Sequence, residues 1–201
     1  MNQTRRQLLM YLGLGFTGAV GASYGLHRDR SVSASPPREL DLSLPSSRIA
    51  ASGDLTNTPL PEFVGISDWL NSSPLTVTGL KGKVVAVQFW AFGCINSQRT
   101  LPYLVDWHKK YADQGLVIVG VHTPELQFEY DVSKVKEAVQ ERDIRYPVAI
   151  DNEYRTWRAY RNRYWPHLFL ANREGKVVYD HIGEGAYDET EATIRQLLAS
   201  A

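Results

Sequence analysis

The segment Val84-Val-Ala-Val-Gln-Phe-Trp90 is short, apolar and rich in β-branched residues, and Gly82 and Gly93 bracket it. Such a run reads as a buried strand rather than a helix. The only cysteine of the chain, Cys94, follows immediately, and from Ile95 onward the apolar residues Leu101, Leu104, Val105, Trp107 and Tyr111 recur at helical spacing. The sequence therefore predicts strand, tight turn and helix, with a thiol at the helix N-terminus. Unpaired backbone N–H groups and the helix dipole gather there, and both favour a thiolate, the nucleophilic form of cysteine. Three residues beyond Cys94, where a second thiol would complete a dithiol redox pair, stands Ser97.

One cysteine in 201 residues excludes an internal disulfide. Lysine plus arginine equals aspartate plus glutamate, 22 each, which argues against a nucleic-acid footprint. At the N-terminus the adjacent pair Arg5-Arg6 precedes an uncharged, Gly- and Ala-rich stretch from Leu8 to Leu26. This is the pattern of a twin-arginine export signal or an N-terminal anchor. Residues 1–26 are read as that segment, 27–60 as a Ser- and Pro-rich linker, and 61–201 as the folded domain. The expected location is extracytoplasmic (periplasm-like), with the membrane touched only through the N-terminal segment.

Downstream, 116–121 reads as a second continuous apolar strand and 132–142 as a helix. The pattern continues with a short strand at 147–150, a short helix at 154–160, an antiparallel strand pair at 167–171 and 176–182, and a final helix at 188–198 capped by Asp188. Residues 69–78 suggest an N-terminal strand or hairpin. Strands alternating with helices predict an α/β fold with a mixed central sheet flanked by helices.

The stretch Phe89-Trp-Ala-Phe-Gly-Cys94-Ile-Asn-Ser97, Pro102 eight residues after the cysteine, Gly120-Val-His-Thr-Pro-Glu125, Tyr146-Pro-Val-Ala-Ile-Asp151 and Trp165-Pro166 before a strand together resemble the thioredoxin fold. The resemblance is closest to TlpA-like and DipZ-like thiol–disulfide oxidoreductases of the redoxin group. It implies a thioredoxin-like fold with a central helix–strand insertion between His122 and Asp151. It also implies a cis-proline at Pro166 beside the thiol, and thiol–disulfide exchange as the reaction. Two departures stand out: Ser97 replaces the resolving cysteine, and Gln88 occupies the place of the buried acid that would serve it.

Cys94 is accordingly the expected nucleophile. Ser97, whose hydroxyl can donate to a thiolate, and Trp90, Phe92, Gly93, Ile95, Asn96, Trp165 and Pro166 are the expected thiolate- and substrate-supporting residues. Gln88, His122 and Glu125 are candidates for tuning the thiol. The partners expected are a protein or low-molecular-weight disulfide and an external thiol reductant. No cofactor is implied. His108, His167 and His181 are too scattered to suggest a metal site.

Two other readings stay open. A peroxide reductase of this fold would want a Pro-x-x-x-Thr-x-x-Cys pattern, but Ala91, Phe92 and Gly93 precede Cys94. A redox-silent module could instead present Trp90, Phe92, Tyr164 and Trp165 as an apolar patch for an extended peptide.

Overall fold

The computed structural model describes residues 55–200. The expected export segment with Arg5 and Arg6, and most of the expected linker, lie outside the described residues. The folded part reaches back to Leu55, before the expected boundary at 61. Leu55 and Leu60 are buried, and the segment between them pairs with the backbone around Lys176.

Six strands form one mixed sheet in the order β1-β4-β3-β2-β5-β6. They are β1 (Asp68–Leu70), β2 (Val84–Trp90), β3 (Leu116–His122), β4 (Val148–Ile150), β5 (His167–Ala171) and β6 (Val177–Ile182). β2 pairs in parallel with β3 and β3 with β4, whereas β5 and β6 run antiparallel. The continuous hydrophobicity of β2 follows from its central place, where every residue is buried. On one face Val84, Ala86 and Trp90 meet Leu101, Leu104 and Trp107 of α1 (Ile95–Tyr111), Val135 and Val139 of α2 (Val132–Glu141), and Ile194 of α4 (Tyr187–Ala199). On the other face Val85, Val87 and Phe89 pack against Trp157 and Tyr160, in and just after α3 (Arg155–Ala159).

Two expectations are corrected. The N-terminal hairpin does not form: β1 pairs with β4, antiparallel, and Thr78–Leu80 is a 3₁₀ turn. Side-chain bonds hold residues 75–78 away from a ladder: Thr76 Oγ1 accepts the Gly79 N–H, and Glu62 Oε1 accepts that of Val77. The last helix starts at Tyr187 behind a left-handed Ala186, without a side-chain cap. Asp188 sits within its first turn, where a negative charge still suits the helix dipole.

This topology gathers the loops. Because β2 and β3 are parallel, both C-termini lie at one edge of the sheet, with Trp90 opposite His122. Antiparallel β5 begins at that same edge, with His167 opposite Phe89. The turn 91–94, the insertion after His122 and the Trp165-Pro166 dipeptide therefore meet.

Candidate active site

Cys94 occupies the N-cap of α1 in an extended conformation, and its carbonyl accepts the Gln98 N–H at 3.0 Å. No side chain caps the first turn, and no acidic residue lies in it. The amides of that turn are thus left to stabilise negative charge at the thiol. Cys94 is half-buried rather than sealed in the core. Its Sγ lies 3.9 Å from the Trp165 carbonyl oxygen, and the Trp165–Pro166 bond is cis.

The turn before the cysteine is held from three directions. Gln98 Nε2 donates to the Phe92 carbonyl at 2.8 Å. His122 Nε2 accepts the Phe92 N–H at 3.4 Å while its ring stacks on Phe92. Glu129 Oε1 accepts the Gly93 N–H at 2.6 Å, and its Oε2 accepts those of Glu125 and Leu126, each at 2.7 Å. Glu129 is fully buried, so one carboxylate ties the insertion to the residue preceding the nucleophile.

Beneath the thiol lies a neutral network. Ser97 is fully buried, and its Oγ accepts the Ala91 N–H at 3.4 Å. Gln88 Nε2 donates to Thr100 Oγ1 at 2.6 Å, and that hydroxyl donates to the Ser97 carbonyl at 2.7 Å. Gln88 Oε1 has no hydrogen-bond partner among the described residues, and the side chain lines a narrow cleft bordered by Thr100, Pro166 and His181. No ionisable group takes part in this Gln88–Thr100–Ser97 chain, which leaves it without a base for a second thiol.

Residues 55–198 match the redoxin family model. The chain belongs to the redoxin family. It is 46% identical over 144 residues to Protein DipZ of Mycobacterium tuberculosis, a match covering 70% of this chain and 21% of DipZ. This redoxin thus spans about a fifth of the length of the DipZ proteins it matches. Thiol-disulfide oxidoreductase ResA of Bacillus cereus is 30% identical over 137 residues, covering 68% of this chain and 75% of ResA. Among solved structures, that of a thioredoxin-like protein in the oxidized form superposes with a TM-score of 0.67 at 28% identity, covering 74% of this chain and 99% of the other. The expected TlpA-like and DipZ-like affinity and the thioredoxin-like fold therefore hold.

The redoxin site brings together most, not all, of the residues expected from sequence. Gly93, Ile95 and Asn96 are exposed around Cys94, with Ile95 57% exposed, and Phe92 and Trp165 are half-buried at its margins. Trp165 is anchored by its Nε1, which donates to the Thr123 carbonyl at 2.8 Å, and by its ring against Trp157.

Trp90 is placed differently from the expectation. It is fully buried, so it forms no part of a surface patch. Its side chain lies on the α1 face of the sheet, in space left by Gly120. A Cβ at Gly120 would come within 3.0 Å of Trp90 Nε1 and 3.1 Å of Tyr146.

His122 is fully buried, and burial pushes its ring pKa down to about 3. It therefore serves as a neutral acceptor for the turn and not as a proton-transfer group near neutral pH. Glu125 is exposed, and only its backbone contributes to the anchoring, as a donor to Glu129.

Glu129 and Thr100 are the residues that sequence reasoning missed. A Leu126-x-x-Glu129 spacing, in which an acid reaches back to the amide three residues earlier, was the available signal for Glu129. Its contact with Gly93, 36 residues away, left none.

Proposed function

We propose that this redoxin is a one-thiol thiol–disulfide oxidoreductase. The observation that carries this reading is an accessible Cys94 at an uncapped helix N-terminus, with a buried serine where a second thiol would sit. The Cys94 thiolate attacks one sulfur of a disulfide. The S–S bond of the substrate breaks, the other sulfur leaves as a thiolate, and Cys94 is joined to the substrate as a mixed disulfide. Ser97 cannot displace that product, because its alkoxide is inaccessible near neutral pH. An external thiolate attacks the mixed disulfide instead, forming a new S–S bond with the substrate sulfur and releasing the Cys94 thiolate. The Ser97 hydroxyl accepts from the Ala91 N–H.

The substrate would be a protein or small disulfide and the reductant a small or protein thiol. The Arg5-Arg6 segment supports an extracytoplasmic site of action. Among the described residues no helix is long and apolar enough to cross a membrane. The reading is tested by turnover of a disulfide substrate with and without added thiol. Turnover that requires added thiol and disappears in Cys94→Ser is expected, whereas equal activity in Cys94→Ser overturns it.

A further inference from the structure

His167 follows the cis-proline and is fully buried at the start of β5. Its Nδ1 lies 2.7 Å from Asn162 Oδ1, and its Nε2 lies 2.9 Å from Asp180 Oδ2. The orientation of the Asn162 amide is set by a second residue. Its Nδ2 donates to the Tyr164 carbonyl at 3.1 Å, and its Oδ1 accepts the Tyr164 N–H at 3.4 Å. Turning the amide over would set donor against donor and acceptor against acceptor at Tyr164. Oδ1 therefore faces the ring, and Nδ1 must carry a proton. The other ring nitrogen faces a carboxylate oxygen, which also calls for a proton. A neutral imidazole holds one proton and can satisfy only one of these two acceptors.

We propose that His167 is an imidazolium clamped between Asn162 and Asp180, and that this pair of hydrogen bonds positions the Trp165–Pro166 turn beside Cys94. Asp180 is the charged group the structure places against the ring; Phe169 packs on it as well. The clamp closes a short circuit. Asn162 holds Tyr164, His167 holds Asn162, and β6 holds His167 through Asp180. The residues between Tyr164 and His167 are Trp165, whose carbonyl faces the Cys94 sulfur, and Pro166, whose carbonyl accepts the Gly183 N–H at 2.9 Å. A charge-assisted bond to a buried ring is among the stronger hydrogen bonds available, and here it ties β6 to the loop whose Trp165 carbonyl faces the Cys94 sulfur. His167 is a positioning residue, since nothing places it in contact with the reacting sulfur.

The kinetic part of this inference rests on the proposed disulfide chemistry, and the spectroscopic part does not. Nitrogen-15 NMR of the full chain at pH 7 should show protons on both His167 ring nitrogens, and Asp180→Asn, which keeps a partner on Nε2 without the charge, should show one. The kinetic probe is a peptide whose cysteine is activated as its nitrothiobenzoate disulfide, compared with iodoacetamide, which needs only the sulfur. Asp180→Leu should form the Cys94–peptide disulfide about tenfold more slowly than wild type. Asp180→Asn should stay within about twofold, and iodoacetamide should modify all three proteins at the same rate. A singly protonated His167 ring in the wild type overturns the proposal. So does an Asp180→Leu protein that reacts with the peptide like wild type, or one slowed equally toward iodoacetamide. If the wild type fails to react with the peptide at all, the proposed function falls, while the NMR result still decides the state of His167.

Discussion

Acidification should loosen this domain through His122, by an amount that follows from its burial. The folded pKa of the ring is pushed down to about 3, against 6.5 for an unburied histidine. Between those values the unfolded chain binds a proton that the folded chain refuses, so the His122 contribution to stability is complete above pH 6.5 and is lost as pH falls toward 3. At pH 7.5 the loss is negligible. At pH 5 it amounts to about 2 kcal/mol, and near pH 3 to about 4 kcal/mol. Protonation also removes the Nε2 acceptor of the Phe92 N–H, so the cysteine turn should loosen along with the fold.

The assay is urea unfolding of wild type and His122→Phe at pH 7.5 and pH 5. The phenylalanine keeps an aromatic ring against Phe92 but cannot titrate. It should be destabilised by roughly 1–3 kcal/mol at pH 7.5, for leaving the Phe92 amide without its acceptor. The gap between the two proteins should narrow by about 2 kcal/mol at pH 5, because only the wild type loses the His122 contribution there. A gap that stays constant within about 0.5 kcal/mol would refute the reasoning.

Three further outcomes are expected. Ser97→Cys places a thiol where the buried hydroxyl now sits, and it should release a Cys94-linked product at least ~100-fold faster than ~1 mM external thiol does in the wild type, read by quenched-flow mass spectrometry. Glu129→Ala strips acceptors from the amides of Gly93, Glu125 and Leu126. It should lower stability by about 3 kcal/mol and speed amide exchange at Gly93, and Glu129→Gln should rescue it only partly, because one side of the clamp then faces donor against donor. Gly120→Ala drives a methyl into Trp90 and Tyr146 and should cost roughly 1–3 kcal/mol in chemical denaturation.

What could be read from the sequence was local, or carried by the resemblance. The hydrophobic run of β2, bracketed by glycines and ending beside Cys94, announces strand, turn and nucleophile because a central strand must be apolar on both faces. The cis bond at Pro166 came with the resemblance and is present. Trp90 was misplaced for the same reason that β2 was easy to find. A run buried on both faces carries no alternation to say where its last side chain goes, and the space at Gly120 on neighbouring β3 settles it. Glu129, Thr100 and the His167 bracket depend on partners brought close by strand pairing, and hydrogen bonds of that range leave no periodic trace. Residues 75–78 looked strand-like by composition, yet the Val77 N–H goes to Glu62 and the Gly79 N–H to Thr76.

The central claim concerns how long Cys94 stays joined to its substrate. Intact mass should be followed after mixing the full chain with an activated-cysteine peptide, first without and then with added thiol. The account predicts one peptide per chain, attached at Cys94, persisting until thiol is supplied and then released to regenerate the starting mass. A chain that takes up no peptide, or one that sheds it unaided, would contradict it.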